Sequence, residues 1–404
     1  MSSLLPSLIY TSFVLLLPSP PLSHRAITMQ EFYLESITWD ATYNLESEIT
    51  LYVHHRGTAF RICYDPCILA ASPSVLDEHH KSYQILYKDD PGRLCEVAER
   101  LRKPFEELMI QMALNSPMGS AGDLHRYLYP PWFVLEARVA GSGCIHPHFK
   151  AALSRQEVGR PGEYVNGFLR PHLSPLLDSK LNKYSSRQVQ ALAQTSQLVP
   201  SKILVNGSVY FFKPWISGRV HGYHELQSYR KILADTDESP PLLADARICR
   251  LRGLIIDNDD DVLQHYPLDG NEEDHHGTRL VGLLLTPIES KGTLADLAPW
   301  SDCTNEDRLR WSRQIHYSVE CLHNAGVVWG DAKPENVLVD MKGDAWLIDF
   351  GGSYTEGWVD EKKRETADGD REGVQKIDDW LAKWSLRPVN RIKRSGEEGR
   401  EGAV

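Results

Sequence analysis

The stretch that most constrains this chain is residues 327–352, VVWGDAKPENVLVDMKGDAWLIDFGG. Two short β-forming runs, NVLVD and AWLIDF, flank the turn sequence MKGD and predict a β-hairpin. Polar groups sit at fixed places around it. Asp331 comes first, Lys333 two residues later and Asn336 five later. Asp349 closes the second run thirteen residues after Asn336, a gap that leaves room for one hairpin. Three oxygen-bearing side chains and one ammonium group therefore belong to a single loop-and-hairpin unit.

Phosphoryl transfer from ATP needs such a set. A carboxylate must orient or deprotonate the acceptor hydroxyl, a cation must lie near the moving phosphate, and oxygen ligands must hold magnesium against the phosphates. The sequence upstream supplies a matching frame. Residues 305–326 predict an amphipathic helix with Leu309, Ile315, Val319 and Leu322 on its apolar face. A capping-box start lies at 304–307 and Gly326 is its stop. Further back, SKILVNG (201–207) and SVYFFKPW (208–215) meet at Asn206-Gly207, the strongest short hairpin signal, which places Lys213 on the second strand. Residues 223–233 have helical spacing, with Leu226, Tyr229 and Leu233 on one stripe and Glu225 one position away from it. Two β-rich runs follow at 246–257 and 278–289. The acidic 257–261 lacks the glycine and terminal glutamate of a calcium loop and reads as solvated.

In this order the features resemble a protein kinase domain, whose catalytic loop reads H-R-D-x-K-x-x-N and is followed by a strand ending in D-F-G. The resemblance covers about residues 187–385. WGDAKPENVLVD and LIDFGGSYTEGW are most similar to the divergent kinase-like proteins of fungal genomes. It implies an α+β fold class, with a two-lobed domain made of a β-rich N-lobe and a helical, truncated C-lobe. It also implies ATP and Mg2+ as cofactors. Lys213 would bind the α- and β-phosphates with Glu225 as its helix partner. Asp331 would be the catalytic base, Lys333 would steady the γ-phosphate, and Asn336 and Asp349 would bind magnesium. LLTPIE (284–289) would be the hinge that holds adenine, through Leu285, Thr286 and Ile288. Tyr229, Trp329 and Phe350 would stack as an internal spine.

The chain departs from the family pattern in several places. Trp329-Gly330 replaces the His-Arg before the catalytic aspartate, so no arginine waits there for a phosphorylated activation loop. Residues 191–203 hold no glycine where the family has its glycine-rich loop. No A-P-E follows Asp349. Asp370 takes the place of the buried aspartate that holds the catalytic loop's backbone. Only 34 residues follow it, which leaves the usual peptide-docking helices out of the expected fold. The function expected is an ATP- and Mg-dependent phosphotransferase acting on Ser/Thr hydroxyls of a protein or peptide substrate. Two other classes stay open: a non-catalytic kinase-fold binding or scaffold protein, and a small-molecule phosphotransferase. Lys333 favours the protein-kinase side.

The remaining sequence sets the surroundings. Residues 29–140 read as an α+β region of unknown function. It has a hairpin at 47–55 and 59–65, strands at 82–88 and 132–139, and a helix or helix pair at 92–114 broken at Pro104. Residues 141–185 read as a linker, 186–385 as the kinase-like domain and 386–404 as a disordered tail. The formal charge of −11, from 44 Lys and Arg against 55 Asp and Glu, argues against nucleic acid or anionic membranes as partners. Seven scattered cysteines form no disulfide framework and read as reduced thiols. ATP use points to cytoplasm or nucleus. Residues 1–28, with an uncharged apolar run at 4–18, read as an apolar upstream extension ahead of a start at Met29, with an anchor or a secretory signal as the alternatives.

Overall fold

A computed structural model of the chain describes residues 32–39, 44–88, 91–115, 122–141, 143–153, 181–192, 199–215, 220–235, 241–258, 278–298, 303–352 and 354–385. The apolar run at 4–18 and the tail after 385 lie outside these residues. Among the described residues no helix is long and apolar enough to cross a membrane. The chain divides into two compact units, one drawn from 1–217 and 253–284, the other from 218–252 and 285–404.

The first unit holds two sheets. Strands β1 (Tyr33–Thr38), β2 (Ile49–His55), β3 (Thr58–Tyr64), β4 (Trp132–Val139) and β5 (Ile145–Leu153) are neighbours in that order. The β2–β3 hairpin turns on Arg56 and Gly57, both at positive φ (49° and 67°), the geometry of a tight two-residue turn. Strands β3 and β4 are parallel and need a crossover. Helices α1 (Pro66–Leu69), α2 (Pro73–Tyr87), α3 (Pro91–Arg102), α4 (Glu106–Asn115) and α5 (Leu124–Leu128) supply it. The break between α3 and α4 falls at Lys103–Phe105, around Pro104 as expected.

Residues 82–88, expected as a strand, belong instead to α2. Pro73 sits in its first turn, and Val75, His79, Ser82, Tyr83 and Leu86 are buried at three- and four-residue intervals. Alternate positions of β2 and β3 (Ile49, Leu51 and Val53; Phe60, Ile62 and Tyr64) face that helical layer and share a core with Tyr83, Leu86, Leu101, Phe105 and Met109. Residues 145–153, inside the stretch read as a linker, form β5 and pair with β4 from Val139↔Ile145 to Trp132↔Leu153.

The second sheet runs β6 (Asn182–Tyr184), β10 (Leu251–Asn258), β11 (Thr278–Leu285), β9 (Ser208–Pro214), β8 (Lys202–Val205) and β7 (Gln190–Ala191). The expected β8–β9 hairpin is present, with Asn206 and Gly207 at φ 47° and 77°. Its core joins Ile203, Val205, Phe212, Ile255, Val281 and Leu284 with Leu124, Leu128 and Tyr129 from α5. One expectation fails here. Asp257 is not in a solvated loop but buried at the end of β10. Its carboxylate accepts bonds from the Ser186 amide (2.8 Å) and from the hydroxyls of Ser186 (2.7 Å), Ser185 (3.0 Å) and Tyr129 (3.2 Å). Four donors replace the water it loses on burial.

The second unit contains α6 (Val220–Asp235), α7 (Leu294–Leu297), α8 (Asn305–Asn324), α9 (Ala367–Ser385) and a small sheet. That sheet is β12 (Ser290–Thr293), β13 (Val337–Asp340) and β14 (Ala345–Leu347), antiparallel throughout. Helix α8 starts on the expected capping box. Thr304 Oγ1 accepts from the Asp307 amide, and Asp307 Oδ2 accepts from the Thr304 amide.

Candidate active site

The loop between α8 and β13 is tied down by one carboxylate. Asp370, in the first turn of α9 and 1% exposed, accepts from the backbone amides of Trp329 (Oδ2, 2.7 Å) and Gly330 (Oδ1, 2.8 Å). The Nε2 of His323, near the end of α8, lies 2.8 Å from the same Oδ2. Trp329 is itself fully buried and donates its indole N–H to the carbonyl of Ile348 (2.9 Å). Gly330 is at φ +92°, and a Cβ there would come within 2.8 Å of the Gly352 Cα. This position needs glycine for both backbone angle and space.

The loop so fixed presents Asp331. Its Oδ2 pairs with the Lys333 ammonium at 2.6 Å and lies 3.2 Å from the Asn336 amide nitrogen. Its Oδ1 accepts from the Thr355 hydroxyl at 2.8 Å, and Thr355 in turn accepts from Lys333 at 2.8 Å. The same Asn336 amide nitrogen also donates to the Asp331 carbonyl at 2.9 Å. Thus Asp331, Lys333 and Asn336 come together as their spacing suggested. Thr355 completes a closed ring of contacts that the sequence reading did not identify. Its only sequence signal is a hydroxyl residue four positions after Gly351.

The hairpin brings the expected magnesium ligands to one end. Val337 pairs with Leu347, and the Ile348 amide donates to the Asn336 carbonyl at 3.0 Å, so Asn336 and the residue before Asp349 are hydrogen-bonded. Asp349 adopts φ +61°, a left-handed backbone that aspartate tolerates better than most side chains. The Asn336 amide nitrogen is spent on Asp331, while its side-chain oxygen accepts no hydrogen bond among the described residues. One amide oxygen and one carboxylate fit a magnesium ion that takes its other ligands from phosphates and water.

The expected nucleotide-facing residues are spread over both units. Lys213 lies half-buried on β9 in the first unit, and Glu225 is buried on α6 in the second. In the hinge, Leu285 is buried at the end of β11. The Thr286 amide is already engaged with the Arg250 carbonyl (2.9 Å), and Pro287 has no N–H. Ile288 is half-buried, and its amide makes no backbone hydrogen bond among the described residues. Of the expected spine, Tyr229 and Phe350 meet edge to face at 5.5 Å, whereas Trp329 bonds to the backbone of Ile348.

Comparison with known proteins agrees with this geometry. Residues 279–371 match the protein kinase domain family. The serine/threonine-protein kinase PKH3 of Eremothecium gossypii is 42% identical over 141 residues, 31% of this chain and 18% of that kinase. Ribosomal protein S6 kinase alpha-6 of Danio rerio is 39% identical over 61 residues, 15% of this chain and 8% of its own. CBL-interacting protein kinase 30 of Oryza sativa subsp. japonica is 44% identical over 48 residues, 12% and 10% respectively. The chain thus spans less than a fifth of the length of each of these relatives. The matched residues cover β11 through the first turn of α9, the segment that carries the Asp331 ring and the Asp370 anchor. Residues 279–371 of this chain thus carry a protein kinase-like segment, within an α+β structure.

Proposed function

We propose that this protein is an ATP- and magnesium-dependent phosphotransferase that passes the γ-phosphate to serine or threonine hydroxyls of a protein or peptide. The observation that carries the reading is the Asp331 carboxylate, held on both oxygens by Lys333, Thr355 and Asn336. A carboxylate fixed in this way is a base with one orientation, suited to draw a proton from an incoming hydroxyl. Lys333 balances its charge and supplies the cation that phosphoryl transfer needs. Asn336 and Asp349 would hold the metal, and Lys213, Glu225 and the Leu285–Ile288 hinge would hold the nucleotide. When bound, magnesium-ATP supplies the electrophilic phosphorus and neutralises charge on the phosphate oxygens. The Lys333–Thr355 contact favours a protein-kinase type of site, and the similarity to serine/threonine-protein kinase PKH3 and CBL-interacting protein kinase 30 points the same way. On this reading ATP use favours cytoplasm or nucleus, with membrane or secretory targeting through the apolar run at 4–18 as the alternative.

Thermal stabilisation by magnesium-ATP and ATP turnover, measured side by side, test the reading. Asp331→Asn is expected to lower turnover by about 10²–10⁴-fold while the stabilisation persists. Asp349→Asn is expected to lose the magnesium-dependent stabilisation. Stabilisation without turnover in the native protein would make it a nucleotide-binding scaffold. Phosphate on small alcohols and not on peptides would make it a small-molecule phosphotransferase.

A further inference from the structure

The first unit buries a cation that no carboxylate neutralises. Arg126, on α5 and 6% exposed, donates from Nε to the Gly57 carbonyl (3.2 Å) and from Nη2 to Thr58 Oγ1 and the Ala113 carbonyl (both 2.9 Å). All three acceptors are neutral. The other terminal nitrogen, Nη1, makes no hydrogen bond among the described residues. Burial lowers the pKa of this guanidinium, and only the Tyr127 phenol opposes the effect. A buried charge normally has an opposite charge or a metal as its partner.

Two more groups converge on the same place. Arg56 lies half-buried in the β2–β3 turn, next to Gly57, where a Cβ would come within 3.0 Å of the Arg126 Cγ. The turn therefore packs directly on the Arg126 side chain. Tyr127, beside Arg126 on α5 and 5% exposed, has a buried hydroxyl with no hydrogen-bond partner. Burial pushes its pKa up, while the charges of Arg126 and Arg56 pull it down. Both guanidinium groups are thus near the phenol, and no carboxylate among the described residues acts on it. Two positive charges and an O–H donor stand together with nothing negative among them. A role as a structural brace accounts for the three bonds of Arg126. It leaves the second cation, the unbonded Nη1 and the unpaired hydroxyl without a purpose.

We infer that Arg56, Arg126 and Tyr127 form a binding site for a phosphate-type dianion, either the free ion or the phosphate of a monoester. Two guanidinium groups match a double negative charge, and their N–H groups suit its oxygens in geometry. The phenol supplies a third donor and gains the acceptor it lacks. Partial burial strengthens each of these contacts. A single carboxylate would leave one positive charge unmatched. All three residues belong to the first unit, so the site is independent of the Asp331 ring and of phosphotransfer.

Calorimetric titration of inorganic phosphate into the full chain tests it, at about pH 8, where phosphate carries close to two charges. The melting temperature is followed alongside. Saturable binding and a rise in melting temperature are expected, and acetate at the same ionic strength is expected to give neither. Arg56→Gln and Tyr127→Phe are each expected to weaken phosphate binding about tenfold. Both variants should fold, because Arg56 lies on a turn and the Tyr127 hydroxyl has no partner to lose. Lys213→Ala should leave the phosphate affinity as it is. Phosphoserine as a second probe separates the sources. Equal affinity assigns the site to a monoester, preference for the inorganic ion assigns it to the free anion, and either result supports it. Failure of both probes to bind overturns the inference. So does equal binding of acetate, or a phosphate affinity that either Arg56→Gln or Tyr127→Phe leaves unmoved. A loss confined to Lys213→Ala also overturns it, since phosphate would then occupy the nucleotide-facing residues.

Discussion

Asp370 spends both of its oxygens on the backbone of Trp329 and Gly330, and both amides are out of water. Removing the carboxylate strands two buried donors, each worth about 1–3 kcal/mol. Asp370→Ala is therefore expected to lower stability by about 2–6 kcal/mol and turnover with it. Thermal unfolding and an ATPase assay on the same preparation check both. Gly330 makes a sharper case. At φ +92° and with the Gly352 Cα 2.8 Å from where a Cβ would sit, Gly330→Ala combines backbone strain with a clash. It is expected to cost about 1–3 kcal/mol or more. The result to look for is a fall in melting temperature together with loss of activity at temperatures where the variant is still folded. Asp331, Lys333 and Asn336 were legible because their partners are near in the chain, whereas Asp370, about forty positions from the amides it binds, was legible only through the family resemblance. Asp331, Lys333 and Asn336 lie within six positions, and a single loop gathers them. Thr355 and His323 were illegible because their roles depend on where the chain returns after Phe350 and on how α8 lies along α9.

Helix α8 buries Ile315, Val319 and Leu322 as expected, but Leu309, expected on the same apolar face, is 57% exposed, and Trp311 is buried in that part of the helix. Its capping box fixes the first turn, and Thr304→Ala is expected to cost about 1 kcal/mol in a denaturant titration. The Asp307 carboxyl titrates below its ordinary value in the folded protein, so its contribution is present above the unfolded value and is lost as pH falls through the folded one. The melting-temperature difference between the native protein and Asp307→Asn should hold steady above about pH 5 and shrink below about pH 4. Both two-residue hairpins were readable, since Asn-Gly and Arg-Gly turns declare themselves locally. Residues 82–88 were not, because SYQILYK suits a strand by composition and a helix by spacing, and the buried face shared with Val75 and His79 decides for the helix. Strand β5 escaped for a different reason. Its own sequence, IHPHFKAAL, has weak strand character, and the long antiparallel register with β4 makes it a strand.

On the scale of the whole molecule, the first unit is held together by α5. Leu128 and its neighbours belong to the core of the second sheet. Arg126 on the same short helix reaches back to the first sheet and α4, donating to Gly57 O (3.2 Å), Thr58 Oγ1 (2.9 Å) and Ala113 O (2.9 Å). A helix of five residues thus serves two sheets. Leu128→Ala is expected to cost about 2–5 kcal/mol. Because the helix is shared, amide exchange should quicken in both sheets, at Ile62 as well as at Val205. Exchange that quickens in the second sheet alone would show that the two sheets unfold independently. No local sequence pattern announces such sharing, since it links residues more than a hundred positions apart.

The contact between positions 330 and 352 also bears on descent. Gly330 cannot acquire a side chain while Gly352 stays where it is. A lineage that carries a larger residue at 330 must have shifted the backbone around 352 before or with that change. The fixed backbone at 352 thus acts as a steric lock on what position 330 can become.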